Sequence, residues 1–269
     1  MKKVEQEKGY AFVTGATGGV GKAFSKVLAK EGYSLFLTGR SLNKLTCFKE
    51  ELQAQFPSLK VEVCAADLSE QLDREQLYNT IVQNGVKLSM LVNVAGADIQ
   101  KGLLAYTQEK IAFQCRVNFE AAVSTCLFAI ENKAEHLEII NISSVSGIYP
   151  MPYFAIYSAT KGALTSFSTS LRQDMKDKNV AVTAILPGAM PTRDDIKEQI
   201  KGQGLWGKLA AKSPESVAKI SLKAVRKNKA KVVVGFWNKL MRIFTAWIPA
   251  SLRIRFIAKR WNKISKDAF

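Results

Sequence analysis

The stretch Tyr10-Ala11-Phe12-Val13-Thr14-Gly15-Ala16-Thr17-Gly18-Gly19-Val20-Gly21 decides the fold. Residues 10–14 form a short apolar run, residues 14–21 read TGATGGVG, residues 20–30 have helical periodicity, and residues 33–38 form a second apolar run. Strand, glycine-rich turn, helix and strand in this order make a βαβ unit. Gly15, Gly18, Gly19 and Gly21, with Thr17 and Val20 among them, allow a tight turn. That turn brings backbone N–H groups close to an anion such as a pyrophosphate, at the positive end of the helix dipole.

Outward from this unit the alternation continues. Apolar, β-rich runs at 61–65, 88–94, 137–142, 180–186 and 231–234 are separated by helical stretches. Their near-continuous Val, Ile and Leu content suits strands covered on both faces. The pattern predicts a doubly wound α/β protein: a seven-stranded, mostly parallel Rossmann sheet with helices on both faces. At 269 residues with no linker, residues 1–235 read as one domain and residues 236–269 as a tail.

A second constellation concerns chemistry. Tyr157-Ser158-Ala159-Thr160-Lys161 places a lysine four residues after a tyrosine, on the same helix face, and Ser144 stands thirteen positions before that tyrosine. A phenol titrates near 10, so roughly 4 kcal/mol must favour its phenolate before it works as a base near neutral pH. The charge of Lys161 is expected to supply that stabilisation, and Ser144 to hold a carbonyl oxygen. Of the adjacent serines, strand alternation points Ser143 the other way.

With these motifs in order, the chain resembles the short-chain dehydrogenase/reductase family from about residue 10 to residue 234. TGATGGVG fits the family's TGxxxGxG. Asp67-Leu68 stands where the family contacts an adenine ring, and Asn93-Val94-Ala95-Gly96 where it has NNAG. Val94 departs from that pattern and removes the side-chain bond of the second Asn. Asn118, Ser144, Tyr157 and Lys161 match the catalytic tetrad, and PGAMPT, with Pro187, Gly188 and Thr192, matches PGxxxT.

The resemblance implies hydride transfer between a nicotinamide cofactor and a ketone or secondary alcohol. In it Tyr157 moves the proton, Ser144 polarises the carbonyl, Lys161 also binds the nicotinamide ribose, and Asn118 holds a water that links Lys161 to solvent. Thr192 would hold the nicotinamide carboxamide above Pro187 and Gly188. A homodimer or homotetramer through the helices of Asn118 and Tyr157 is also implied. A dinucleotide-binding sensor or scaffold without turnover is the alternative, and an intact tetrad argues against it.

Cofactor choice is read at the end of the second strand, LFLTGR. An NAD site places an acid there for the ribose 2′-hydroxyl, whereas this chain has Gly39, then Arg40 and Ser41. A guanidinium fork and a small donor suit a 2′-phosphate, so NADP(H) is expected. Met190, Leu205 and Trp206, in or beside the lid-like segment 193–212, and Met151, Tyr153 and Phe154 are candidate substrate contacts; a pocket and a core share this apolar composition.

The remaining chemistry-bearing residues are few. Cys47, Cys64, Cys115 and Cys126 show no CxxC spacing and His136 is the single histidine, so no metal site is expected. His136 reads as a surface residue and Cys126 as packing. The charged N-terminus reads as neither signal nor transit peptide, which leads to an expected cytoplasmic location.

Charge is distributed unevenly. The formal net charge is +16, and residues 219 to 269 hold 14 Lys or Arg against one acid, Asp267. Within them, Trp237, Leu240, Met241, Phe244, Trp247 and Ile248, then Leu252, Phe256, Ile257, Trp261 and Ile264, recur at helical spacing among Lys239, Arg242, Arg253, Arg255, Lys259 and Lys263. These are two basic amphipathic helices. They suit an anionic membrane surface, or a cover over the cleft or a subunit interface. Nucleic acid ranks last because no recognition motif accompanies the charge. A membrane-docked tail would favour a lipid-like substrate, a hydroxysteroid or a 3-oxoacyl chain.

Overall fold

The computed structural model describes residues 8–99, 101–192, 194–202, 204 and 209–261. Leu205, Trp206, Lys263, Ile264 and Asp267 lie outside them. Seven strands, β1 (Tyr10–Val13), β2 (Ser34–Gly39), β3 (Val61–Ala65), β4 (Leu88–Asn93), β5 (Lys133–Ile142), β6 (Val180–Leu186) and β7 (Lys231–Val233), form one sheet. Their order is β3-β2-β1-β4-β5-β6-β7, and every pairing is parallel. The doubly wound sheet expected from the alternation is the one observed.

Strand residues alternate between two cores because successive side chains leave opposite faces. Ala11 and Val13 point to a layer with Phe24 and Leu28 of α1 (Gly19–Lys30), Leu45 and Phe48 of α2 (Leu42–Gln55), and Val217 and Leu222 of α8 (Pro214–Arg226). Phe12 and Phe36 point to the other face, their rings edge to face at 5.9 Å. There they meet Leu77 and Ile81 of α3 (Gln71–Gln83) and Cys126 of α5 (Ala121–Glu131), in a core that Phe167 and Leu171 of α6 (Ala155–Asp174) border.

The strand order reverses between β1 and β4, which opens a crevice at their carboxyl ends, where ligands of open α/β sheets bind. Val13 pairs with Val92, and Asn93 with Asn141. The loops after β1, β4, β5 and β6 therefore emerge side by side. Buried amides brace them: Asn93 donates to Asn141 Oδ1 at 2.9 Å and accepts from the Thr125 hydroxyl at 2.7 Å. Among the described residues no helix is long and apolar enough to cross a membrane.

Candidate active site

The turn after β1 is shaped by two glycines. Gly15 has φ +62°, and a Cβ there would lie 3.0 Å from the Ala95 backbone. A Cβ on Gly21 would lie 2.2 Å from the Gly15 carbonyl oxygen, so the first turn of α1 packs directly on the loop. No side chain caps the α1 N-terminus at Gly18, and no acid stands in its first turn. Its N–H groups face outward with the positive end of the helix dipole.

This turn borders a groove of about 740 Å³ lined by Gly15, Thr17, Gly18, Gly19, Val20, Gly39, Arg40, Asp67, Leu68, Ala95, Gly96, Asp98 and Thr192. Arg40 is exposed at its edge. Three residues expected at the cofactor line neither this groove nor the cavity that adjoins it. Ser41 caps α2 by accepting from Lys44 N, Gly21 is spent on helix packing, and Asn93 sits in the buried amide network. Val94 lines the groove instead of supplying an amide, and its N–H and that of Ala95 both donate to Thr14 Oγ1, at 3.0 and 3.1 Å.

The groove continues into a cavity of about 360 Å³, sharing Val20, Val94, Gly96, Ala97, Asp98 and Thr192 with it. Ser144, Tyr157 and Lys161 line this cavity, with Pro187 and Gly188 from the loop after β6. Ser144 ends the chain leaving β5 and caps a 3₁₀ turn (Val145–Gly147). Its oxygen accepts from Ser146 N at 3.2 Å and Ser146 Oγ at 2.7 Å, so its own proton is available to the Tyr157 oxygen, to which it is hydrogen-bonded. Ser143 points away as expected, bonded to Lys161 O and Thr165 Oγ1. A Cβ on Gly147 would fall 2.7 Å from the Lys161 carbonyl carbon, so only glycine lets the Ser144 turn lie against α6.

Lys161 is buried, its Nζ donating to Ile142 O at 2.9 Å and lying 5.9 Å from the Tyr157 ring centroid. Burial brings Lys161 down to about 8, with the Asp98 charge opposing. Tyr157 is pushed well above its ordinary value, first by burial and then by Asp98, with the Ser144 hydrogen bond opposing. That direction is opposite to the one expected from Lys161. Lys161, its Nζ turned to Ile142 O, is not among the groups that act on the phenol, whereas Asp98, an acid absent from the motif, is.

Asn118 is fully buried in a π-helical turn (Arg116–Glu120) between α4 (Gln108–Cys115) and α5, where a regular helix was expected. Such single turns recur at functional sites. Its Oδ1 accepts from Ala97 N at 2.6 Å, and its Nδ2 donates to Ala97 O at 2.9 Å and Thr160 Oγ1 at 3.2 Å. Asn118 thus fixes the loop after β4 to the helix of Tyr157. A Cβ on Gly96 would meet Asn118 Oδ1 at 3.1 Å and Lys161 Nζ at 3.3 Å. Arg74 adds a second tie, donating to Leu68 O at 2.8 Å and pairing with Glu120.

Other residues appear in the cavity that the sequence did not flag. Ile196 and Ile200 belong to α7 (Asp194–Gly202), a helix inside the expected lid, and Asn238 comes from α9 (Phe236–Ala246). Met151, Phe154 and Met190 line it as expected, whereas Tyr153 does not and instead takes a left-handed φ of 67° just before α6. Cys126 is buried and inert, raised to about 12 by burial, and His136 is exposed against Asn179.

The family model for short chain dehydrogenases matches residues 9–201. The chain belongs to the short-chain dehydrogenase/reductase family, a family of oxidoreductases. It is 30% identical over 200 residues to a very-long-chain 3-oxoacyl-CoA reductase-like protein of Arabidopsis thaliana, covering 71% of this chain and 63% of the relative. It is 29% identical over 191 residues to 17-beta-hydroxysteroid dehydrogenase type 3 of Rattus norvegicus, covering 68% of this chain and 59% of the relative. The chain thus spans about six-tenths of the length of either relative. Among solved structures, L-sorbose reductase of Gluconobacter frateurii, complexed with NADPH and L-sorbose, superposes with a TM-score of 0.75. The two are 25% identical over 86% of this chain and 97% of that one.

Proposed function

We propose that this chain is an NADP(H)-dependent oxidoreductase that reduces a lipid-like ketone to a secondary alcohol, with a 3-oxoacyl chain as the leading substrate class and a keto-steroid as the second. The observation that carries this reading is that Tyr157, hydrogen-bonded to Ser144, lines a cavity continuous with the glycine-rich groove. The names of the relatives support the substrate classes. The NADPH complex of the sorbose reductase supports the cofactor.

The groove fits a dinucleotide. Its glycines leave room for a pyrophosphate against the uncapped α1 N-terminus, and Arg40 stands at the end of β2 where an NAD site has an acid. Gly15, Thr17, Gly18, Gly19 and Val20 would hold the phosphates, Arg40 the 2′-phosphate, and Asp67 and Leu68 the adenine. Ala95, Gly96, Pro187, Gly188 and Thr192 would hold the nicotinamide half, with Tyr157 and Lys161 at its ribose. When bound, the cofactor supplies the hydride.

This chain's residues do the rest. Ser144 orients the carbonyl oxygen and donates to it as negative charge develops there. Tyr157 gives that oxygen its proton, a role its raised pKa suits better than that of a base. Lys161, still cationic at neutral pH, stands beside the phenolate left behind. Asn118 positions the wall at Ala97 and the Tyr157 helix through Thr160.

The test is NADPH consumption against a panel of 3-oxoacyl thioesters and keto-steroids. Turnover with one class and not with simple sugars is expected. Tight NADPH binding without oxidation by any ketone would overturn the reading and leave a non-catalytic binder.

A further inference from the structure

We propose that α9 and α10 (Ala250–Trp261) form a docking surface for an anionic lipid bilayer and hold the substrate cavity against it. The inner sides of these helices are anchored to the domain. Asn238 donates to Ala210 O and Val234 O, Tyr149 shares a 2.8 Å hydrogen bond with Thr245, and the Arg253 guanidinium lies 5.7 Å from the Tyr149 ring centroid.

Their outer sides are apolar and open. Phe236, Ile243 and Phe244 on α9 and Trp247 at its C-cap follow helical spacing and are 68%, 61%, 65% and 88% exposed, and Leu252 and Phe256 continue the patch on α10. A soluble surface rarely leaves such a run of large aromatic and aliphatic residues uncovered. Exposed Lys239, Arg242, Arg255 and Lys259 flank them, and no acid occurs from residue 236 to residue 261.

Three occupants compete, and the charge separates them. A second copy joined by a two-fold axis would set this cationic surface against itself. An acidic protein matches the charge but not the protruding Trp and Phe side chains. An anionic bilayer takes both, the rings at the headgroup boundary and the cations at the phosphates. Helices of 11 and 12 residues lie on such a surface and do not cross it.

The position is functional. Asn238 of α9 forms part of the catalytic cavity wall, and Ile254 of α10 lines an adjoining apolar cleft of about 520 Å³ that shares Met151 with that cavity. The docked helices therefore flank the route by which a bilayer-resident chain reaches Tyr157, an inference that rests on the proposed reaction for its substrate only.

The test is co-sedimentation of the full chain with vesicles of phosphatidylcholine alone or mixed with phosphatidylserine. Binding to the mixed vesicles that weakens with salt is expected. It should fall about tenfold or more in the Phe244→Ser/Trp247→Ser and Lys239→Glu/Arg242→Glu variants. Both variants should keep the wild-type circular dichroism and stay within about twofold of its NADPH oxidation with a short water-soluble ketone. Failure of the reaction leaves the vesicle result standing. No sedimentation of the folded wild type overturns the proposal, as does equal binding to phosphatidylcholine alone or binding that neither variant weakens. Self-association that Phe244→Ser/Trp247→Ser abolishes, without vesicle binding, assigns the face to a second copy and also overturns it.

Discussion

Helices α8 and α9 stand ten residues apart in the chain, and both carry apolar residues on one side, yet they end in opposite settings. Val217, Ala218, Leu222 and Val225 of α8 are almost fully buried against α1 and the sheet, whereas Phe236, Ile243 and Phe244 of α9 face outward. Periodicity fixes that a helix has an apolar face but not what the face meets. The side chains differ in kind: the α8 stripe is small and aliphatic, suited to close packing on a sheet, and the α9 stripe is large, partly aromatic and set among cations. The first belongs to the fold and the second to a surface.

The contrast between body and tail yields its largest expected effect at the reaction. Tyr157→Phe removes the proposed proton donor and is expected to cost about 10³-fold in turnover while NADPH affinity changes little. Trp247→Asp, in the tail, should leave turnover of a soluble ketone within about twofold. Steady-state kinetics beside NADPH binding checks both, and a tail variant as inactive as the Tyr157 variant would erase the distinction.

Stability gives the next difference. Leu222→Ala opens a cavity in the core and is expected to cost about 2–4 kcal/mol, whereas Phe244→Ala should change stability by less than about 0.5 kcal/mol. Urea unfolding of the two variants measures this directly. Equal losses would mean that α9 is packed as tightly as α8.

At Arg40 the sign matters more than the size. Arg40→Asp removes the fork and adds a carboxylate that repels a 2′-phosphate, so the ratio of kcat/KM for NADPH over NADH should fall by about 10- to 100-fold. An unchanged ratio would detach Arg40 from the cofactor.

A further effect concerns pH. Lys161 is about 8 in the folded chain against an ordinary 10.5, so between these values the unfolded chain holds a proton that the folded chain lacks. Stability from this group therefore rises with pH across that window, and below it burial of the charge is a cost. Relative to the wild type, Lys161→Met should be most favoured below about pH 8 and lose up to about 3 kcal/mol of that advantage by pH 10.5. A difference that stays flat with pH would show Lys161 to be solvated.

The strand alternation, the TGATGGVG turn and the spacing of Ser144, Tyr157 and Lys161 were legible because each is a local signal with a local cause. Beyond them the sequence was silent for identifiable reasons. Asp98 reaches Tyr157 and Lys161 only because β4 ends beside β5, and Asn93 looked like a cofactor ligand until its partners Asn141 and Thr125 came from two other elements. Strand β5 starts at Lys133, earlier than expected, because Lys133 pairs with Leu88 across a register shift although its first residues are polar. The helix α7 hid in the glycine-containing lid, its Ile196 and Ile200 meaningful only as a spaced pair facing the cavity. The π turn at Asn118 has no periodic signature, since it exists to aim one amide at Ala97.

The most direct measurement follows deuterium from nicotinamide-deuterated NADPH into a 3-oxoacyl thioester, read by mass spectrometry of the product. The account expects one deuterium on the new carbinol carbon with the wild type and almost none with Tyr157→Phe. Product carrying no cofactor-derived deuterium, or labelled product formed as fast without the Tyr157 hydroxyl, would contradict it.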